Sequence, residues 1–253
     1  MTETILGVDV MYEDLDLLVL NKSAGIVVNR AASVKVATVQ DWVEQNYPKL
    51  FAHPSQVENE AWQLFTQRSG MVHRLDKDTS GVLLWAKSPS VMLDLMKQFK
   101  ERSIKKTYTA LVHGWLNPTS GTIRVPLGRL QHNRKRFGVV VGGKMTETDY
   151  QVEQNYAANP KYPGGFCLVK LYPQTGRTHQ LRVVLKHLQH PIVGDAHYVG
   201  KKRAKHDAKW CQRQFLHAQE ITFNHPTQSK PLTFSAPLSQ DLTEVLSTLE
   251  LKV

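Results

Sequence analysis

Apolar residues recur along this chain with two different spacings, which predict helices in some segments and strands in others. Helix-spaced apolar residues follow a capping residue at Thr38, at Ser88-Pro89 and at Ser239, which predicts three helices that begin at those points. A fourth helix is predicted over residues 178–188, where four apolar residues share one face.

Seven further segments are short, rich in β-branched and aromatic residues and bounded by turn residues, as strands are. They cover residues 16–21, 81–86, 107–113, 122–127, 148–154, 165–172 and 215–223. Gly142-Gly143 predicts a hairpin turn that joins residues 137–141 to residues 144–148. Because strands outnumber helices and short links join many of them, the sequence predicts an α+β fold in which helices pack on a mostly antiparallel sheet. No linker or repeat divides the chain, so residues 1–253 are expected to form a single domain.

The charge of the chain is concentrated in two segments. The formal net charge is +10, from 32 Lys and Arg against 22 Asp and Glu. Residues 97–144 contain eleven Lys or Arg and one acid, and residues 200–214 contain six and one, so the rest of the chain is acidic on balance. Two basic segments on an otherwise acidic chain are typical of a protein that binds a polyanion such as nucleic acid, although solvated loops without a partner have the same composition.

The remaining composition excludes several classes of protein. Cys167 and Cys211 are the only two cysteines and belong to no CxxC motif, which excludes a disulfide framework and a zinc ribbon. The N-terminal residues are acidic and lack the basic stretch of a secretory signal, and no apolar run approaches the roughly 20 residues of a membrane span. We therefore expect a cytoplasmic protein.

The densest cluster of charged and polar residues is His73-Arg-Leu-Asp-Lys-Asp-Thr-Ser-Gly81, which leads directly into an apolar segment. Loops held against a buried strand often carry functional groups. Asp76, Asp78 and Ser80 have the spacing of the first ligands in a calcium loop. Lys87 stands where the bidentate Glu is required, so calcium is excluded. The residue types alone leave two interpretations open: a carboxylate pair like that of a glycosidase, and a turn whose side chains bond their own backbone.

A second polar cluster spans residues 173–182 and 190–198. Arg177, Thr178 and His179 are predicted to form the first turn of the fourth helix, where backbone N–H groups and cations bind phosphate. The histidines of this region have no spacing that matches a zinc ligand set, and no glycine-rich nucleotide motif is present. We therefore predict an anion-binding segment without a metal or a nucleotide cofactor.

Four blocks, in order and with matching spacing, give the chain a resemblance to a known family. The block His73–Leu84 resembles the signature of the RluA family of pseudouridine synthases. Three further blocks resemble the family's N-terminal element, its tyrosine motif and its third motif: Leu20-Asn-Lys-Ser-Ala-Gly25, Lys106-Thr-Tyr108, and residues 175–182 with 190–195. The resemblance covers about residues 10–238, so it implies a catalytic domain with no S4 RNA-binding domain before it.

The resemblance implies a fold, a reaction and the residues that perform it. The fold is a mixed, mainly antiparallel central sheet with flanking helices. The reaction is the isomerisation of specific uridines in structured RNA to pseudouridine, without a cofactor or metal. Asp76 is implied to be the catalytic nucleophile, acting at C1′, at C6 or through a glycal route. Tyr108 is implied to stack on the base, and Arg182 to pair with Asp76. An Asp with an ordinary pKa is ionised at pH 7, as a nucleophile must be.

RNA contacts are expected on both sides of this catalytic set. Arg74 is implied to fill the space that the flipped uridine leaves in the RNA stack, with His73 beside it. The other residues assigned to RNA are Arg177, Thr178, His179, Lys201, Lys202 and Arg203. The expected partner is tRNA or large-subunit, 23S-type ribosomal RNA, and the protein is expected to be a monomer. Two alternatives stay open: a catalytically idle RNA-binding or RNA-folding factor on the same scaffold, and an RNA N-glycosidase that uses Asp76 with Asp78.

Overall fold

A computed structural model of the protein describes residues 7–52, 59–131, 133 and 136–252. The strands are β1 (Val8–Glu13), β2 (Leu17–Lys22), β3 (Ser80–Ala86), β4 (Lys105–His113), β5 (Ser120–Arg129), β6 (Phe137–Val139), β7 (Lys144–Tyr156), β8 (Phe166–Pro173), β9 (Leu216–Asn224) and β10 (Pro231–Ser235). The helices are α1 (Val39–Asn46), α2 (Glu60–Arg68), α3 (Pro89–Glu101), α4 (Gln180–His187), α5 (Lys201–Asp207) and α6 (Gln240–Ser247), with a 3-10 helix at Pro48–Phe51. The chain divides into two compact units. The first comprises Met1–Lys105 and Glu220–Pro237, and the second Lys106–Gln219 and Leu238–Val253.

In the first unit, β2 lies between β1 and β3, and both pairings are antiparallel. The C-terminal part of β9 pairs with β10, also antiparallel. Every residue of β3 is buried, as expected for a strand whose sequence is apolar without alternation. The core of this unit is formed by apolar side chains that include Leu17, Val19, Phe65, Leu84, Met92, Leu95, Ile221 and Phe223.

In the second unit, five strands follow the order β4-β8-β7-β5-β6, with antiparallel pairing throughout. Helix α4 lies against β5, β6 and β7. The core of this unit includes Leu111, Val169, Leu171, Val184, Leu185, Ile192, Phe215 and Leu242. In the part of the chain that the structure describes, no helix is long and apolar enough to cross a membrane.

The predicted α+β class and the mainly antiparallel sheet are confirmed. The seven strands predicted from the sequence correspond to β2, β3, β4, β5, β7, β8 and β9. Thr38, Ser88 and Ser239 are the N-cap residues of α1, α3 and α6. Thr38 and Asp41 form a capping box, in which each side chain accepts from the other residue's backbone N–H. The single-domain expectation for residues 1–253 stays a prediction.

The hairpin predicted at Gly142-Gly143 has a different pairing in the structure. The chain does turn at Gly142, whose φ is 74°. However, Leu127 of β5 pairs with both Val139 and Lys144, so β5 lies between the two strands that the turn connects. Gly142-Gly143 predicts only that the chain reverses at this point. It does not predict that β6 and β7 each pair with β5 instead of with each other.

Among the described residues, five elements were not predicted from the sequence: β1, β10, α2, α5 and the 3-10 helix at Pro48–Phe51. Helix α5 has the sequence KKRAKHD, in which no apolar stripe marks a helix. Two further stretches cannot be compared with the structure. The N-terminal residues that lack a secretory signal, and Arg134 and Lys135 of the first basic segment, lie outside the described residues.

Candidate active site

Asp76 lies in the loop that leads into β3, at the start of a turn. The backbone N–H of Thr79 donates to the carbonyl O of Asp76 at 3.1 Å, which closes a β-turn with Lys77 and Asp78 at its tip. Asp76 is half-buried, whereas Asp78 is exposed. The loop is therefore a turn, and the bonds from its side chains to their own backbone stay a prediction. The two carboxylates that the sequence could not separate have different surroundings.

Lys22 fixes this turn from the neighbouring segment. Its side chain is fully buried, and its ammonium donates to the carbonyl oxygens of Ser23 at 2.8 Å, Ile26 at 3.0 Å and Lys77 at 3.0 Å. The backbone N–H of Gly25 also donates to the Lys77 carbonyl, at 2.9 Å. A buried ammonium is tolerated only when its N–H groups find acceptors. The sequence block around Lys22 therefore holds the residue next to Asp76, a role that the sequence did not assign.

His73 anchors the start of the same loop on β3. The backbone N–H of Leu84 donates to His73 Nε2 at 2.8 Å, and the imidazole packs on Phe99 with ring centroids 4.9 Å apart. Arg74, the next residue, is exposed. The structure thus gives His73 a positioning contact within the protein and leaves Arg74 at the surface. The RNA contacts assigned to both stay predictions.

Tyr108 and Lys106 project from the same face of β4, since side chains two residues apart in a strand point the same way. Tyr108 pairs with Leu171 of β8 through the backbone, and its half-buried ring packs against the core of the second unit. Burial lowers the pKa of the Lys106 ammonium to about 8. Lys106 is therefore a cation that loses its charge at mildly alkaline pH, two residues before the tyrosine implied to hold the base.

Arg182 forms a buried ion pair with Asp195. The guanidinium donates from Nε to Asp195 Oδ2 at 2.8 Å and from Nη2 to Oδ1 at 2.9 Å. Both side chains are at most 6% exposed, and the guanidinium also lies 5.1 Å from the ring centroid of Tyr198. This bidentate geometry fixes the plane of the guanidinium. The pairing of Arg182 with Asp76 stays a prediction. Asp195 lies in the third motif, but the sequence analysis did not identify it as the partner of Arg182.

The sequence placed Arg177, Thr178 and His179 in the first turn of a helix, and this is wrong. Helix α4 begins at Gln180, with His179 as its N-cap in the left-handed conformation. The buried Gln180 side chain accepts the backbone N–H of Arg177 at 3.0 Å, so that group is already paired within the loop. Arg177 and Thr178 are exposed, and His179 Nδ1 lies 2.8 Å from the Tyr198 hydroxyl. The segment therefore offers side chains, rather than a helix N-terminus, to an anion.

Lys201, Lys202 and Arg203 are exposed on α5, which the buried Asp207 anchors to the second unit. The Asp207 carboxylate lies 2.9 Å from His113 Nε2 and accepts the backbone N–H of Gly194 at 3.1 Å. In the sequence, Asp207 is the lone acid of this basic segment. The structure shows that it ties this segment to the residue before Asp195.

Among the described residues, one cluster has the arrangement of metal ligands, and it consists of Asp14, Asp16 and His225. His225 Nε2 lies 2.9 Å from Asp14 Oδ2, and the backbone N–H of Gln228 donates to His225 Nδ1 at 3.2 Å. Both ring nitrogens therefore have protein partners. Burial acts to raise the pKa of Asp14, but hydrogen bonds from the imidazole, a tyrosine and two backbone N–H groups outweigh it and lower the pKa to about 2. Hydrogen bonding accounts for this cluster without an ion.

Comparisons with known proteins agree with these motifs. The family model described as RNA pseudouridylate synthase matches residues 16–189, a range that includes Asp76, Tyr108 and Arg182. The ribosomal large subunit pseudouridine synthase D of Neisseria meningitidis serogroup A is 34% identical over 254 residues, which cover 98% of this chain and 62% of that protein. A Chlorobaculum parvum protein named as an uncharacterized RNA pseudouridine synthase is 37% identical over 257 residues, which cover 96% of this chain and 74% of that protein.

A solved structure shows the same likeness in three dimensions. Human RNA Pseudouridylate Synthase Domain Containing 1 aligns with a TM-score of 0.70 and 26% identity, covering 98% of this chain and 89% of the human one. The chain spans less than two thirds of the Neisseria synthase. The family model covers more than half of this chain, and the order of the motifs and the fold agree with it. As the RluA-type motifs predicted, this chain belongs to the RNA pseudouridylate synthase family.

Proposed function

We propose that this protein isomerises specific uridines in structured RNA to pseudouridine. The observation that carries the proposal is the family match over residues 16–189, because this range contains the aspartate, the tyrosine and the arginine implied to perform the reaction. Asp76 is half-buried on a turn that Lys22 fixes, and a fixed, partly desolvated carboxylate suits nucleophilic catalysis.

The proposed reaction breaks the C1′–N1 glycosidic bond and forms a C1′–C5 bond to the same uracil. The proton on C5 leaves to solvent and N1 gains a proton, so the RNA keeps its mass. Asp76 acts on the flipped-out uridine, either as the nucleophile that attacks C1′ or C6 or, in a glycal route, as the base that removes the C2′ proton and later returns it. Tyr108 stacks on the base, an interaction worth about 1–3 kcal/mol, and keeps the detached uracil in place.

The RNA is held by exposed cations outside these three residues. Arg74 is at the surface two residues before Asp76, where it fills the gap left by the flipped uridine and offsets part of the unstacking cost. His73 supports it. The residues proposed to contact the RNA backbone are Arg177, Thr178, His179, Lys201, Lys202 and Arg203, all of which are exposed or half-buried.

We propose large-subunit ribosomal RNA as the substrate, with tRNA as the alternative. The support comes from relatives named ribosomal large subunit pseudouridine synthase D, in Neisseria meningitidis at 34% identity and in Vibrio parahaemolyticus at 32%. Mapping pseudouridines in total RNA with and without the gene distinguishes the two. We also propose that the protein is a cytoplasmic monomer and needs no cofactor.

The reaction is tested by tritium release from RNA that carries [5-³H]uridine. Wild type is expected to release tritium, and Asp76→Asn to release none above background, because an amide is a poor nucleophile. Asp78→Asn is the matched control: it makes the same substitution two residues away, on the exposed tip of the same turn, and should release tritium at the wild-type rate. Release by Asp76→Asn equal to that of wild type would refute the assignment.

The same assay separates the alternatives. A catalytically idle RNA-binding factor binds the RNA and releases no tritium, even as wild type. An N-glycosidase that uses both carboxylates liberates free uracil, leaves an abasic site and loses activity in Asp78→Asn as well. Isomerisation leaves the mass of the RNA unchanged and liberates no uracil.

A further inference from the structure

The second unit contains an aromatic cavity that the proposed reaction does not use. Its volume is about 410 Å³, within the range of small-ligand pockets. We call it the aromatic pocket; its lining includes Tyr162, Phe166, Trp210 and Leu249. Trp210 is half-buried, and its ring meets those of Tyr162 and Phe166 nearly edge-on, at centroid distances of 5.8 and 5.2 Å.

A smaller polar cleft of about 170 Å³ adjoins the aromatic pocket. The two cavities share Lys161 and Tyr162. The cleft also contains His190 and Arg203, so cationic and polar side chains lie beside aromatic ones. Burial and the hydrogen bond to Asp207 raise the pKa of Tyr162 to about 12, although the charge of Arg203 acts in the opposite direction. Arg203 and Tyr162 line the same cleft, which places the guanidinium at the rim of the aromatic pocket.

A buried hydrogen-bond chain holds this arrangement in place. Trp210 Nε1 donates to the Tyr162 hydroxyl at 2.9 Å, and that hydroxyl donates to Asp207 Oδ1, also at 2.9 Å. Asp207 is fully buried and ends α5, the helix that carries Arg203. The carboxylate thus fixes the aromatic wall and the cationic helix relative to each other, as a preformed binding site requires.

We propose that the aromatic pocket binds an unstacked base of the RNA substrate, other than the target uridine, while Arg203 and Lys161 bind its phosphate. The inference rests on the proposed function, because it takes RNA as the substrate. Aromatic side chains beside a cationic groove are the chemistry that binds unpaired nucleotides, since every base has a face to stack and a phosphate to neutralise. Charge complementarity favours this occupant over an apolar protein segment, which would leave the cations of the adjoining cleft without a counterion.

The test compares two fluorescein-labelled RNAs, a hairpin with an unpaired loop and a blunt duplex of equal length. Trp210→Leu removes the stacking surface and should weaken hairpin binding by about 5- to 150-fold, with duplex binding within about twofold of wild type. Trp210→Phe keeps an aromatic face and should retain most of the affinity. Trp62→Leu is the matched control, because Trp62 is another half-buried tryptophan on a different element; it should not change the affinity.

Salt dependence separates stacking from phosphate binding. Arg203→Gln should reduce the slope of log K against log salt by about 0.7–0.9, the value for one lost phosphate contact. Trp210→Leu should leave that slope unchanged. The hairpin should also quench tryptophan fluorescence in wild type, and less in Trp210→Phe. If Trp210→Leu does not fold, Leu249→Glu at the half-buried rim is expected to weaken hairpin binding more than duplex binding.

Hairpin affinity and quenching that are unchanged in Trp210→Leu overturn the inference. So does quenching by a phosphate-free apolar peptide when the hairpin gives none, because the pocket would then be a protein-docking site. Neither result depends on tritium release. If Trp210→Leu binds the hairpin as tightly as wild type while wild type releases tritium normally, only the pocket is rejected. If Trp210→Leu binds the hairpin more weakly while wild type releases no tritium, the proposed isomerisation is rejected.

Discussion

The buried ion pair between Arg182 and Asp195 allows a quantitative prediction for the variant Asp195→Asn. The substitution keeps the shape of the side chain but removes the charge and one of the two acceptors, so the guanidinium stays buried beside a neutral amide. The variant should be strongly destabilised, and its kcat should fall because the guanidinium loses the partner that sets its plane.

The magnitude follows from the burial and the geometry of the pair. Both side chains are at most 6% exposed, with Nε–Oδ2 and Nη2–Oδ1 distances of 2.8 and 2.9 Å. Removal of one member of such a pair costs about 3–5 kcal/mol. We expect the lower end, about 3 kcal/mol, because Asn keeps one acceptor. For a chain of this length, that loss lowers the Tm by about 6–12 °C.

The assay is urea unfolding of wild type, of Asp195→Asn and of the double variant Arg182→Met/Asp195→Leu. The double variant should be less destabilised than Asp195→Asn, because apolar side chains of similar volume carry no buried charge. It should nevertheless lose activity if Arg182 has the proposed catalytic role. A loss below about 1 kcal/mol in Asp195→Asn would show that the pair does not hold the guanidinium, and would refute the reasoning.

Three further predictions concern stability. Lys106→Met should raise the Tm at pH 7 and below. The folded-state pKa of Lys106, about 8, lies below its unfolded value, so burying the charged ammonium destabilises the fold. Thermal scans should show the gain in Tm shrinking as the pH rises from 8 to about 10.5. Asp14→Asn should make the free energy of unfolding depend less on pH in the acid range. In wild type, the pKa of Asp14 is lowered to about 2, so its carboxylate stabilises the fold above about pH 4, and this contribution is lost as the pH falls through 2. An unchanged dependence of unfolding on pH would contradict this prediction. Gly194→Ala should destabilise by more than about 2 kcal/mol in urea, because φ is +74° and a Cβ would lie 2.0 Å from the Arg213 carbonyl O. Gly142→Ala, with the same φ and nothing within 4 Å of its Cβ, should cost only the conformational part, about 1–2 kcal/mol.

The sequence predicted helices and strands correctly where residues a few positions apart determine the local conformation. Thr38 caps α1 because its hydroxyl reaches the N–H of Asp41, three residues away. The apolar run of β3 is buried as its composition requires. The same local logic wrongly assigned residues 177–179 to the first turn of α4, because the sequence does not show that the Gln180 side chain accepts the backbone N–H of Arg177.

The sequence did not predict which groups pair with the buried charged side chains. The ammonium of Lys22 reaches Lys77, 55 residues away, and Asp207 meets His113 across 94 residues. Spacing along the chain does not predict such pairs, because the tertiary fold determines which buried charged groups come within hydrogen-bonding distance.

The sequence by itself therefore determined the type of each element that it predicted, the mainly antiparallel sheet and the motif that contains Asp76, because these depend on residues within a few positions of one another. Tertiary structure alone decided which acid holds Arg182, which lysine fixes the Asp76 turn, and that β5 separates the two strands joined at Gly142. The physical reason is that a buried charge or a strand edge must be satisfied by whichever group the fold brings within hydrogen-bonding distance. That group can lie anywhere along the chain.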